Sequence, residues 1–326
     1  MLCILRTETD PHFNLAAEEF VLHYFTDDCF MLWRNEPSVI VGKHQNTLAE
    51  INHDYITRNQ IKVVRRLSGG GAVFHDLGNI NFTFIMNGEP GQLVDFRKFT
   101  QPIIDVLASL GIEAKFEGRN DLTIGGRKFS GNAEHVFKNR ILHHGTLLYE
   151  AKIADLTSAL NVDPEKFTDK AIKSVRSRVT NISEHLKEPL DIQDFITLVM
   201  NHVIGMYPEA KLYEFTDDDR RGIEELVKNK YGTWNWNFGY SPQYNFKKSI
   251  RTNGGKVEFN FDVQNGMIRQ AAIFGDFFSR ADIQNIEKAL AGVPHRYDEV
   301  MQALSRFEIG KYFKNITLDE LAPALF

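Results

Sequence analysis

The sequence predicts an α+β protein, and three observations agree on that class. Residues 79–86 alternate, with Ile80, Phe82, Phe84 and Met86 set against Asn79, Asn81, Thr83 and Ile85, the period of a strand. Glycine-centred dipeptides at Gly125-Gly126 and Asn265-Gly266 join β-type runs, as hairpin turns do. Stretches of helical spacing run over 14–25, 98–110, 191–207 and 217–231.

The remaining elements follow in order. Asn14 is the expected N-cap of the first helix, and Glu18 and Glu19 are expected on its solvated face. Short strands over 30–34 and 38–42 flank an Asn-Glu-Pro turn. A helix is expected over 46–59, a strand over 61–64 and another over 112–116, after a helix that Gly111 ends. Beyond Pro242 a linker is expected, then strands over 256–263 and 267–274 and helices near 280–291, 295–307 and 317–325.

A chain of 326 residues accommodates one large domain or two. With 43% hydrophobic and 25% charged residues, the composition is that of a soluble globular protein. A net charge of −5 argues against a general nucleic-acid binder. Cys3 and Cys29 give neither a disulfide framework nor a metal-ligand spacing, which fits a reduced, cytoplasmic setting. The first ten residues lack the apolar region of a signal peptide, and no run approaches the ~18 apolar residues of a membrane span.

The densest chemistry lies in Val64-Arg65-Arg66-Leu67-Ser68-Gly69-Gly70-Gly71-Ala72-Val73-Phe74-His75-Asp76. Three glycines between two strands let a ligand approach the main chain, whose N–H groups can converge on an anion. Arg65 and Arg66 bring forked donors suited to phosphate or carboxylate. The glycine spacing is that of neither a P-loop nor a dinucleotide fingerprint. Further on, Asn120-Asp121 and Lys128-Phe129-Ser130 are brought together by the Gly125-Gly126 turn. A lysine beside a hairpin is usually solvated; Lys128 differs in lying next to Ser-Gly-Asn-Ala, in a stretch short of other charges. His143 and His144 are adjacent, so at most one faces a pocket. Lys166, Lys170, Lys173, Arg176 and Arg178 form a basic run with Asp169 as its acidic member. No cysteine lies near these motifs, and no Ser-His-Asp arrangement is evident.

Arg-Arg-x-Ser-Gly-Gly-Gly-Ala-Val-Phe-His-Asp-x-Gly-Asn, over 65–79, resembles the signature of lipoate–protein ligases, relatives of biotin–protein ligases and octanoyltransferases. Gly42-x-x-Gln45-Asn46, Asn120-Asp121, Lys128-x-Ser130-Gly131 and His143-His144-Gly145-Thr146-Leu147 match further family segments. Residues 174–181 resemble the adenylate-covering loop, and Trp234–Gly239 the end of the family's catalytic domain, where the aromatics pack against that domain. The resemblance covers nearly the whole chain, most strongly residues 30–180.

It implies a large domain of mixed and antiparallel sheets flanked by helices over residues 1–244, and a small α+β accessory domain over 250–326. It implies ATP-dependent conversion of lipoate to lipoyl-AMP, then transfer to a lysine of a carrier domain. The carriers are E2 subunits of 2-oxoacid dehydrogenases or a glycine-cleavage H-protein-like chain. Lys128 is the implied catalytic cation. Arg66, Gly71, Ala72, Val73, Phe74, Asn120, Asp121 and Lys128 are the implied ATP and adenylate ligands. Ser68, Gly70, Gly71, Lys128 and His144 are the implied lipoate contacts, and Asp121 the implied Mg²⁺ ligand. Arg65 is expected to be structural, with His75 and Asp76 bracing the loop. A monomer that binds neither nucleic acid nor membrane is expected. The rivals are an ATP-independent octanoyl or lipoyl transferase, which the missing cysteine disfavours, a biotin ligase, whose glycine-rich signature differs from Arg-Arg-x-Ser-Gly-Gly-Gly, and a non-catalytic lipoyl-binding protein of the same fold.

Overall fold

The computed structural model describes residues 1–88, 95–118, 120–160, 178–240, 244–275, 277, 279 and 281–326. They fall into two compact units: residues 1–43, 50–52 and 59–233, and residues 44–49, 53–58 and 234–326.

The first unit is built on an eight-stranded mixed sheet in the order β11-β1-β2-β6-β10-β9-β8-β7. These strands are β1 (Leu2–Leu5), β2 (Cys29–Trp33), β6 (Asn79–Asn87), β7 (Ala114–Glu117), β8 (Asp121–Ile124), β9 (Arg127–Phe137), β10 (Arg140–Leu148) and β11 (Lys211–Leu212). β1 runs parallel to β2 and β11; the other pairs are antiparallel. A second sheet holds β3 (Ser38–Val41) between β4 (Lys62–Arg65), parallel to it, and β5 (Val73–His75), antiparallel. Helices Phe96–Ser109 and Ile192–Met206 cover one face of the large sheet, where Phe84, Phe99, Ile103 and Phe195 form the core.

Alternation in β6 predicts one buried face, yet eight of its nine residues are buried. The strand lies inside the large sheet, between β2 and β10, and its polar face is also covered. Asp10, not Asn14, caps the first helix, Pro11–Tyr24, accepting from His12 N and Phe13 N. Asn14 lies within that helix and donates to the carbonyls of Glu8 and Arg34. The helix expected over 46–59 is two short ones, Thr47–Glu50 and His53–Arg58, broken where Ile51 bridges Leu160. The Gly125-Gly126 hairpin forms as read, both glycines at positive φ.

The second unit contains a three-stranded antiparallel meander, β12 (Tyr244–Thr252), β13 (Gly255–Gln264) and β14 (Met267–Gly275). β12 occupies the expected linker. Its residues pair along β13 from Tyr244 to Thr252, a register that the preceding sequence does not reveal. Phe259, Phe261, Ile286, Leu304 and Phe313 are among its core residues. Trp234 packs beside Gly266, in the turn of this unit's hairpin.

Candidate active site

Residues 66–72 link β4 to β5. Arg66 is buried and organises this loop. Its Nε donates to Ser68 Oγ (3.0 Å), Nη1 to the Ile40 carbonyl (3.1 Å), and Nη2 to the carbonyls of Gly69 (2.7 Å) and Gly71 (2.8 Å). Four of its roughly five donor hydrogens therefore serve the protein. Burial draws its pKa down to about 10, which still leaves it charged at neutral pH. Gly70 sits at φ +94°, a left-handed conformation that glycine adopts without penalty. Arg65 is fully buried and donates to the carbonyls of Gly42 (3.0 Å) and Lys43 (2.9 Å).

The loop closes one side of a cavity of ≈ 190 Å³. Leu15, Trp33, Ile40 and Val73 supply apolar wall, and Asn81, His144 and Thr146 come from the large sheet. Arg66, Gly70, Gly71, Ala72, Val73, Asn120, Lys128 and His144 all line it, so the fold gathers most of the residues singled out in the sequence. Three do not line it. Phe74 is buried on β5 between two cavity residues, because alternate side chains of a strand face opposite ways. Ser68 lies behind the wall, and Asp121 stands at the start of β8 beside Lys128.

Lys128 is not an isolated cation. Its half-exposed ammonium lies 2.7 Å from Asp121 Oδ1 and over Gly131, where a Cβ would fall 2.9 Å from Nζ. Its carbonyl accepts from Thr180 N at 2.9 Å, and Val179 forms a parallel bridge to it. The end of the basic run thus docks beside Lys128. Lys166, Lys170, Lys173 and Arg176, with the covering role implied for them, lie outside the described residues.

Sequence reasoning missed Glu18. Both glutamates expected on a solvated face are buried, at 3% and 6% exposure. Glu18 holds His144 Nδ1 at 3.0 Å and accepts from Thr83 Oγ1 at 2.6 Å; Thr83 in turn accepts from Trp33 Nε1 at 3.0 Å. His144 Nε2 lies 2.6 Å from Ser68 Oγ. Glu19 accepts from Lys230 Nζ (2.6 Å) and Tyr231 OH (2.7 Å), partners distant in sequence. The available signal was the polar side of β6, where Asn81 and Thr83 turn toward the site. Ser68, His144 and Glu18 follow the order of a hydrolytic triad, but Ser68 is 1% exposed and already accepts from Arg66. Its hydroxyl ties the loop to the large sheet.

His143 points the opposite way, into Phe82, Phe96 and Phe99, with Nδ1 2.8 Å from Glu134. Burial pushes the Glu134 carboxyl up to about 7 and His143 down to about 3. His75 and Asp76 brace the loop's far end. Asp76 accepts from Gly78 N and Lys152 N, while burial holds His75 near 3 and hence neutral. Cys3 and Cys29 are buried and do not line the cavity; burial pushes the Cys29 thiol to about 12. Among the described residues no group of three His, Cys, Asp or Glu side chains is placed to hold a metal ion. Nor, among them, is any helix long and apolar enough to cross a membrane.

Comparison with known proteins identifies the family and the fold. Residues 10–204 match the model of the lipoyl protein ligase A/B catalytic domain, and residues 241–325 that of the bacterial lipoate protein ligase C-terminus. Lipoate–protein ligase 1 of Staphylococcus aureus is 45% identical over 315 residues, 96% of either chain. Among solved structures, the bipartite lipoate protein ligase of Thermoplasma acidophilum, described with its E2 lipoyl domain, superposes with TM-score 0.67 at 28% identity. It covers 74% of this chain and 98% of its own. A lipoate–protein ligase A bound with ATP superposes with TM-score 0.64 at 25% identity, covering 74% of this chain and 100% of its own. With its catalytic-domain model matched over more than half its length, the chain belongs to the lipoyl protein ligase A/B family.

Proposed function

We propose that this protein is an ATP-dependent lipoate–protein ligase, forming lipoyl-AMP and passing the lipoyl group to a lysine of a lipoyl domain. One observation carries the reading: an apolar cavity whose polar wall brings together Lys128, Asn120 and the Arg66-held glycine loop. A cavity of ≈ 190 Å³ exceeds the ~150 Å³ that encloses a benzene and suits a medium-length acyl chain. The name of the S. aureus relative, the ATP on the solved ligase and the E2 lipoyl domain of the archaeal system support the same reading.

In this mechanism the carboxylate of lipoate attacks the α-phosphate in line and pyrophosphate leaves. Charge accumulates on the α-phosphate, where the Lys128 ammonium stabilises it. The glycine loop offers its N–H groups to the adenylate, because Arg66 draws the carbonyls of Gly69 and Gly71 to the other side. Arg66 then acts mainly by shaping the loop. His144 and Ser68 fix the wall against which the acyl chain lies. An amine of the acceptor next attacks the mixed anhydride and AMP departs, while enclosure keeps water from the anhydride. Asp121, beside the cavity and bonded through Oδ1 to Lys128, would offer Mg²⁺ one carboxylate alongside substrate phosphates, and the ion would neutralise phosphate charge. Residues 1–244 carry the activation site and 250–326 the accessory part of a cytoplasmic monomer; the carrier is an E2 or H-protein-like domain. Exchange of labelled pyrophosphate into ATP tests the reading. It should require lipoate, and exchange that runs equally without the acid rejects it.

A further inference from the structure

The cavity wall around Trp33 carries two polar atoms that the protein leaves unused. Trp33 faces Asn81 across β2 and β6, and its ring meets that of His75 edge-on at 6.2 Å. All three residues line the cavity. His75 Nε2 and Asn81 Nδ2 are buried and meet no acceptor. A chain of side-chain amides sets the histidine's tautomer. Asn14 Nδ2 donates to the carbonyls of Glu8 (2.9 Å) and Arg34 (3.0 Å), so its nitrogen faces Asn35. Asn35 Oδ1 accepts that nitrogen at 2.8 Å, which turns Asn35 Nδ2 toward His75 Nδ1 at 3.1 Å. Nδ1 therefore accepts, and the ring proton sits on Nε2, the nitrogen remote from Asn35. Asn81 Oδ1 lies 3.1 Å from Asn79 Nδ2, and the two outer amide atoms, Asn79 Oδ1 and Asn81 Nδ2, are both buried and unpaired.

A plain alkyl chain occupying this end would leave both donors desolvated and unpaired. A chain bearing an acceptor there would pair them, and sites built on such donors discriminate against analogues lacking the acceptor. Resting on the ligase reading above, we propose that His75 and Asn81 are specificity-determining residues. Their N–H groups select an acyl chain whose distal end carries hydrogen-bond acceptors, the ring sulfurs of lipoate, over the bare tail of octanoate. Sulfur is a weak acceptor, and the low-dielectric wall strengthens the contact.

Calorimetric binding to the full chain tests this with lipoate, octanoate and 5-cyclopentylpentanoate, which keeps the ring and chain length but has carbon in place of sulfur. Lipoate should bind about tenfold or more tightly than the carbocycle. Equal affinities for these two overturn the proposal, as when a water satisfies the donors. Asn81→Leu should narrow the gap about threefold or more, weakening lipoate and strengthening the carbocycle; a gap unchanged in the folded variant counts against it. Because that change also strips Asn79 Nδ2 of its acceptor, the wild-type comparison decides the question if the variant does not fold. Failure of all three acids to bind, with no lipoate-dependent pyrophosphate exchange, removes the ligase reading and this subsite together. Exchange that proceeds alongside equal affinities removes the subsite alone.

Discussion

At the residue scale, Lys128 has the most to lose. A half-exposed ammonium contributes little to packing, so Lys128→Ala should leave the fold intact. Removing one donor aimed at developing charge typically costs about 10²–10³ in rate. Lipoyl-AMP formation at saturating ATP and lipoate should fall by that order. Lys128→Arg should fail as well, since a planar fork does not replace a compact ammonium over Gly131. Glu18 makes the opposite kind of prediction. A glutamate on a solvated helix face can be truncated within ~0.5 kcal/mol. Glu18→Ala instead strands His144 and Thr83 and should cost about 1–3 kcal/mol in urea unfolding.

Glu134 supplies a pH signature. Its carboxyl is raised to about 7 in the folded protein, whereas unfolded glutamates titrate near ~4.3. Between those values the folded state keeps a proton that the unfolded chain has lost, so stability falls as pH rises through the window. His143, lowered to about 3, works the other way, since its neutral burial is favoured increasingly up to about pH 6.5. The comparison must therefore be between variants. The melting temperature of Glu134→Gln minus that of wild type should increase from about pH 5 to about pH 7.5. A flat difference would show that Glu134 is ionised in both states.

At the scale of elements, β10 turns His143 and His144 to opposite faces, and Gly145 follows them where a side chain has no room. A Cβ at 145 would overlap Asn132 Oδ1 and the Phe82 ring. Gly145→Ala should therefore destabilise by about 1–3 kcal/mol, the usual cost of overpacking, and disturb the cavity wall between His144 and Thr146. Thermal unfolding, read with lipoate affinity, checks both effects. The strand positions and hairpin turns were legible because their signals are local: a period of two, a Gly-Gly or Asn-Gly turn. β12 was not legible, because its identity as a strand depends on β13 being there to pair with it.

At the scale of the whole molecule, the second unit recruits two short segments from far upstream. Thr47 Oγ1 donates to the Asn237 carbonyl at 2.6 Å, and the His53 ring stacks on those of Tyr297 and Phe326 at 5.6 and 5.2 Å. A 234–326 fragment contains the segments of the sheet and helices but lacks these contacts. Adding a peptide of residues 44–58 should raise its melting temperature, continuing to rise with the logarithm of peptide concentration above the dissociation constant. No shift in a folded fragment would show the upstream segments to be passengers.

The chain by itself determined the loop, the turns, most strands and the family, because a run of specific residue types carries all of these without reference to distant neighbours. It also supplied eight of the cavity's lining residues. Only the tertiary structure decided what those residues do to one another. Arg66 spends its donors on the loop, Lys128 is paired with Asp121, and Glu18 sits beneath His144, 126 positions away. Helical and strand periods report the face a side chain takes on its own element. Whether that face meets water, a carboxylate or a cavity depends on elements brought together by folding.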